Sequence, residues 1–305
     1  AIALSFWNLP VIVVIPSVLI IGAILGLLPG YMVAQLGIPA FVATLAGFLI
    51  YRGAILVVTE GSGTIIISNR AFNAIGNGFI PDIPGNILPG VHKITLLLGL
   101  LAVVWFIYNE IKSRRTKLVY GFDVLPRNIF ILKLVFMALI VGALTWVLAN
   151  YNGLSWTVVV VLIVLLIYQF VTTQTVLGRH IYAVGGNPEA AHLSGVNVKR
   201  VTYLIFSQMG MLAALSGMLF ASRLQSATTT AGTLFELDAI AAAYVGGVSA
   251  AGGVGRVTGA VIGALVMASL TSGMNLMGIG ISYQYIVRGI VLALAVIFDV
   301  ATRNR

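Results

Sequence analysis

Ionisable side chains are few in and at the ends of the long apolar runs of this sequence, where charge is costly, and five of them are the first candidates for chemistry. Glu236 and Asp238 open one apolar segment, Arg52 and Arg288 lie within two others, and Asp299 closes the last. A charge at the centre of a bilayer costs about 3 kcal/mol on insertion scales, so each such residue calls for a partner or a role. Carboxylates at a helix start satisfy unpaired amides and favour the positive dipole end; the same groups can line a solute path. Glu236 and Asp238, with Ala239 behind them, therefore read as caps and as pathway residues alike. Arg52 and Arg288 fit pairing with carboxylates or a reach toward the surface, and Asp299 fits a membrane interface. A neutral polyol asks instead for hydroxyls, amides and aromatic faces. Asn275, Tyr283, Gln284 and Tyr285 supply these near one end of the last two spans, where tyrosines also serve as interfacial anchors.

Other chemistries find no residues to carry them. No Gly-x-x-x-x-Gly-Lys-Ser/Thr loop occurs, so any ATP and Mg that drive this chain are bound by another subunit and the chain itself carries no cofactor. The run Gly252-Gly253-Val254-Gly255-Arg256-Val257-Thr258-Gly259 lacks dinucleotide spacing. Gly255, Gly259 and Gly263 recur every four residues with Ala260, Ala264 and Ala268 alongside, which predicts close helix packing. His92, His180 and His192 are far apart and there is no cysteine, so neither a metal site nor a disulfide is expected. Most spans carry no buried carboxylate or histidine, which argues against a proton- or sodium-driven carrier, and no convergent groups suggest an enzyme.

The elements that position these residues are membrane helices. Sixty per cent of residues are hydrophobic and 8% charged, with a mean hydropathy of +1.07, whereas a soluble domain has roughly a quarter of its residues charged. Long continuous apolar runs favour helices over barrel strands, giving an all-α polytopic membrane protein, one transmembrane domain over 1–305. Nine hydrophobic segments are visible, at about 11–28, 40–58, 94–109, 129–149, 155–171, 201–222, 236–250, 257–272 and 283–300. The segment 236–250 is the short one: its 15 residues make only about 22 Å of helix, which predicts a broken helix lining a cavity. Lys112, Arg114, Arg115, Lys117 and Arg127 crowd the linker 110–128, and Arg179, Lys199 and Arg200 flank the Gly185-Gly186-Asn187 insert within 172–200. The positive-inside rule places both loops and the C-terminus in the cytoplasm, and it accounts for the net charge of +9 without nucleic acid. The same count leaves Ala1 outside, so an upstream span is expected, and it leaves 59–93 external. With Ile66, Phe72, Phe79 and Ile80, that loop is too apolar to be a free linker and should pack as a cap.

Within 172–200 the punctuation is strong. Asn187 suits a helix cap, Pro188 the first helical position and Gly195 the residue past the end, which predicts a two-turn helix over 188–194. Gly185, Gly186, Asn187, Pro188, Glu189, Ala190, Ala191, Ser194 and Gly195 form the candidate surface for a cytoplasmic partner. Elsewhere, Tyr51-Arg52-Gly53-Ala54-Ile55-Leu56 echoes Ile286-Val287-Arg288-Gly289-Ile290-Val291-Leu292 in spans of opposite direction, as an inverted repeat would.

Taken jointly, several motifs resemble the permease subunits of ribose/xylose-class bacterial ABC sugar importers. They are Gly178 to Val196 with Val198-Lys199-Arg200, Phe235-Glu236-Leu237-Asp238-Ala239-Ile240-Ala241-Ala242 with Gly246-Gly247, Pro39 to Gly47, and Tyr120-Gly121-Phe122-Asp123-Val124. The stretches 75–84 and 273–277 look most like the xylose branch. Two departures stand out: Pro29 replaces a common Asn before Gly30, and Thr271-Ser272 replaces an Asp-Asn pair often found before Gly273. The resemblance implies a permease dimer in the bacterial inner (plasma) membrane, with ATP-binding cassette ATPase subunits on the cytoplasmic face. A periplasmic sugar-binding protein is implied on the other. The substrate it implies is a monosaccharide, a xylose-like pentose first. A branched-chain amino-acid importer is the alternative within the superfamily, and a passive solute channel lies outside it.

Overall fold

The computed structural model describes residues 1–82 and 90–303, so Ile83 and Pro84 of the external-loop motif, and Arg305, lie outside the described residues. Among the described residues, thirteen helices and two short strands follow in the order α1 (Ile2–Ser5), α2 (Val11–Ala34), α3 (Ala40–Val58), β1 (Ile65–Ile66), α4 (Arg70–Asn77), α5 (Lys93–Val119), α6 (Arg127–Asn150) and α7 (Trp156–Gln174). Then come α8 (Val176–Gly186), α9 (Pro188–Leu193), α10 (Val198–Leu224), β2 (Ser226–Ala227), α11 (Phe235–Val245), α12 (Val257–Leu276) and α13 (Ile281–Arg303). Among the described residues, eight helices are long and apolar enough to cross a membrane. The short ninth segment is α11, whose 11 residues make about 16 Å of helix.

Three boundaries differ from the sequence expectation. Pro29 does not end its helix, because α2 runs on to Ala34 with Pro16 and Pro29 inside it; packed membrane helices tolerate the lost amide. The linker expected at 110–128 is helical as far as Val119, since the basic residues after Asn109 are good helix formers. The linker expected at 172–200 holds a second helix, α8, whose cap Thr175 accepts from the Gly178 amide at 3.2 Å.

The chain forms two compact units, Ala1–Asn73 with Val160–Arg305, and Ala74–Val159. In the smaller unit, α5 and α6 form a hairpin whose tightest point sets Gly99 against Thr145. His92 caps α5 through Nδ1, which accepts from the Thr95 amide at 3.3 Å, and its Nε2 therefore donates to the Ile80 carbonyl at 2.8 Å.

In the larger unit the longest seam is α2 on α10. Gly22 and Gly26 face Gly210 and the Phe206 backbone so closely that a methyl group on any of the three glycines would strike backbone. At one end of this unit β1 pairs antiparallel with β2, Ile65 opposite Ala227, and Ser5 Oγ donates to the Ile66 carbonyl at 2.9 Å. Ile67 and Phe72 are buried there, and Ser222 Oγ donates to the Phe72 carbonyl at 2.7 Å, whereas Ile66 is exposed. At the other end Lys199 Nζ donates to Gln35 Oε1 at 2.7 Å, joining the start of α10 to the end of α2.

The stretch between β2 and α12 runs from the first end to the second. Gly252 and Gly253, at φ +85° and +72°, lie directly on Gly185 and Gly186 at the end of α8, and Tyr182 Oη donates to the Gly255 carbonyl at 2.7 Å. The short α11 therefore spans the unit together with non-helical backbone on both sides, where Leu234 (φ +68°) and Gly232 (φ +73°) turn the chain.

Candidate functional site

Two regions gather the candidate residues. The first is the turn from α8 into α9. Asn187 takes an extended backbone, φ −153°, ends α8 and starts α9, and its Oδ1 accepts from the Ala190 amide at 3.0 Å. Pro188 and Glu189 form the first turn, where the carboxylate favours the helix dipole. Ser194 follows the last helical residue, its Oγ donating to the Ala190 carbonyl at 2.8 Å, and Gly195 turns the chain at φ +83°. Ala191 is buried beneath, and Gly185 and Gly186 sit on the glycine loop before α12. Leu193, which the sequence reading passed over, is 87% exposed at the tip of this polar helix. A lone leucine beside a C-terminal Ser-Gly was its signal.

The second region lies among α11, α12 and α13. The contact of α11 with α12 is closest where Gly259 meets Gly246 and Gly263 meets the Ala242 carbonyl, backbone on backbone. Gly255 stands apart from the other two members of the expected packing stripe: α12 begins after Arg256, and Gly255 precedes that residue at φ +151°, beside Val248. Further along, the helices part around a cavity of about 500 Å³. Its walls are mostly small, with Ala239 and Ala242 on α11 and Ala264 and Ala268 on α12. Its polar groups are Thr271, Ser272, Asn275, Asp238 and Arg288.

Asp238 and Arg288, 50 residues apart, form an ion pair at 2.9 Å, both partly buried. The Arg288 guanidinium also lies 5.9 Å from the Tyr285 ring centre, and its Nε is buried with no protein partner among the described residues. Arg52, in the echoing motif, donates to Thr233 Oγ1 at 3.1 Å, so both arginines of the echo reach the start of α11. Gln284 is 4% exposed, and its Nε2 donates to Asn275 Oδ1 and to the Ile279 carbonyl, each at 2.8 Å. Tyr283 and Glu236 are exposed and do not line the cavity. Sequence reading could not find Thr271 and Ser272 as cavity residues by spacing; their only signal was their departure from the family pattern.

The cavity holds neutral donors and acceptors and one neutralised ion pair. Compared with known proteins, residues 1–296 match the family described as "Branched-chain amino acid transport system / permease component". The chain belongs to this permease family. The permease is 38% identical over 299 residues to the xylose transport system permease protein of Escherichia coli (strain K12), covering 98% of this chain and 73% of that one. It is 37% identical over 305 residues to the Haemophilus influenzae xylose permease, covering 100% and 78%. Against the ribose import permease of Escherichia coli (strain K12) the identity is 34% over 288 residues, covering 94% and 68%. No solved structure matches the chain. The relatives are transport permeases, and the eight apolar helices make this chain a multi-pass membrane protein of the same kind.

Proposed function

We propose that the permease is the membrane-spanning subunit of an ATP-driven importer that carries a monosaccharide, xylose or a similar pentose, into the cytoplasm. One observation carries this reading: 38% identity to a xylose permease, sustained over 98% of the chain. In it, two copies of the chain pair in the bacterial inner membrane, and a periplasmic binding protein delivers the sugar at the β1–β2 end. ATPase subunits, which hold the ATP and Mg, dock against the turn from α8 into α9. Arg179, Lys199 and Arg200 support a cytoplasmic side for that turn. The 246–256 loop touches it, and Asp299 on α13 accepts from Ser249 Oγ at 3.1 Å in the same loop, so the C-terminal end goes to the cytoplasm with it. A capped helix suits this task because a rigid element transmits the closure of the nucleotide sites better than a free loop does.

A second reading, import of a branched-chain amino acid, is favoured by the Asp238–Arg288 pair, which presents charges of both signs to a zwitterion. The test for both is uptake into liposomes that contain the full-length permease, its ATPase and its binding protein, with labelled xylose, ribose and leucine. ATP-dependent xylose uptake is expected. Leucine uptake in its place selects the second reading, and flux without ATP overturns the importer altogether.

A further inference from the structure

The geometry points to a hydroxyl-reading face on the open cavity beside α11 and α12, formed by Thr271, Ser272 and Asn275 on α12 and set by Gln284, that takes a neutral polyol. This inference rests on the sugar-importer reading and names the site within this chain. The cavity of about 500 Å³ falls within the usual range of small-molecule sites, roughly 300–1,000 Å³. Four alanines among its lining residues leave room beside the polar groups.

The polar face has unspent hydrogen-bonding capacity. Most hydroxyls in apolar helices bond back to a carbonyl of the preceding turn, as Thr44, Thr145, Thr172 and Thr202 do here. Among the described residues, Thr271 and Ser272 make no such bond, which leaves each hydroxyl to donate or accept in the cavity. Thr271 and Asn275, four residues apart, share one side of α12.

Gln284 is a positioning residue. The Ile279 carbonyl can only accept, so Gln284 must present its amide nitrogen, and the second N–H of that nitrogen must meet the oxygen of Asn275. Asn275 is thereby fixed with its NH₂ group free for the cavity. On the opposing wall Asp238 and Arg288 already pair with each other at 2.9 Å, so an uncharged polyol can enter without breaking the pair, whereas a zwitterion would have to compete for it. Arg288 Nε adds one more buried donor beside it.

The chain has no cysteine, so Ser272→Cys gives it a single thiol. In liposomes holding the full-length permease, ATPase and binding protein, a small methanethiosulfonate reagent is applied during ATP turnover with xylose, with leucine or with neither. Xylose is expected to slow labelling several-fold, while Leu265→Cys, 62% exposed on the same helix, labels at one rate in all three. Thr271→Cys serves where Ser272→Cys does not assemble. Gln284→Glu and Gln284→Leu then separate positioning from packing. The carboxylate turns Asn275 around by accepting from its nitrogen, and so changes the uptake ratio of xylose to a deoxy analogue by up to about tenfold, the worth of one neutral hydrogen bond. The leucine variant removes the clamp without reversing it and shifts that ratio less. Unchanged labelling during normal xylose uptake overturns the site and leaves the importer reading standing, as does an unmoved ratio in Gln284→Glu for the positioning role. ATP-driven uptake of leucine with protection by leucine overturns both readings.

Discussion

The two ends of the α11–α12 pair are built from similarly small residues and reach opposite results. Toward the glycine loop, Gly246, Gly259 and Gly263 let backbone lie on backbone, and no space remains. Toward the far end Met267 is buried against α11, and an open cavity lined by Ala239, Ala264 and Ala268 lies beside Thr271 and Asn275. Ala242 belongs to both ends, since its carbonyl faces Gly263 while the residue lines the cavity. The absence of a side chain at the three glycines is what permits the seam, because membrane helices gain little from burial in place of lipid and are held by close packing.

The sharpest way to break this contrast is to move one methyl along α12. In Gly263→Ala the new Cβ meets the backbone of Ala242 and lies 2.8 Å from the Gly246 nitrogen, and neither can swing aside. The expected loss is about 3 kcal/mol or more, seen as a large drop in the melting temperature of the purified permease. Gly273→Ala, on the same helix, meets nothing within 4 Å. It should be neutral or add up to about 1 kcal/mol, because alanine is the better helix former. Equal effects of the two substitutions would mean that the seam is not held by close approach.

The open end is sharpened by its ion pair. Asp238→Asn leaves Arg288 partly buried and uncompensated and is expected to cost about 2 kcal/mol, reduced from the figure for a fully buried pair because both side chains keep some exposure. Asp238→Asn combined with Arg288→Met removes both charges and should melt higher than the single variant. A double variant less stable than Asp238→Asn alone would show that Arg288 is held by its other neighbours, Tyr285 first among them.

What the sequence reveals here is what short-range rules govern. Span positions follow from apolar runs, the shortness of α11 from residue count, and the α9 helix from Asn187, Pro188 and Gly195, all within nine residues. The helix α8 had a local signal too, in Thr175 three residues before Gly178, but its apolar content made it read as linker beside a longer span. Gly255 misled because spacing of four suggests one helix face, whereas Gly252, Gly253 and Gly255 together favour a loop over a helix. The contact of Gly185 with Gly253, the pairing of Asp238 with Arg288 and the cavity itself join residues dozens of positions apart. No local pattern encodes those distances.

The smallest effect belongs to the other region, the turn into α9, where local rules suffice. Asn187→Ala removes one acceptor from the Ala190 amide, at a cost of about 1 kcal/mol. Gly195→Ala meets no neighbour within 4 Å, so its cost is the left-handed backbone alone, again about 1 kcal/mol. Neither loss should unfold eight membrane helices, yet a six-residue helix has little cooperative stability to spare and should fray. The expected outcome is normal membrane insertion and melting temperature, with ATP hydrolysis persisting while uptake falls. Uptake unchanged in the double variant would mean that the ATPase grips something other than an ordered α9, and the exposed Leu193 is the next residue to truncate.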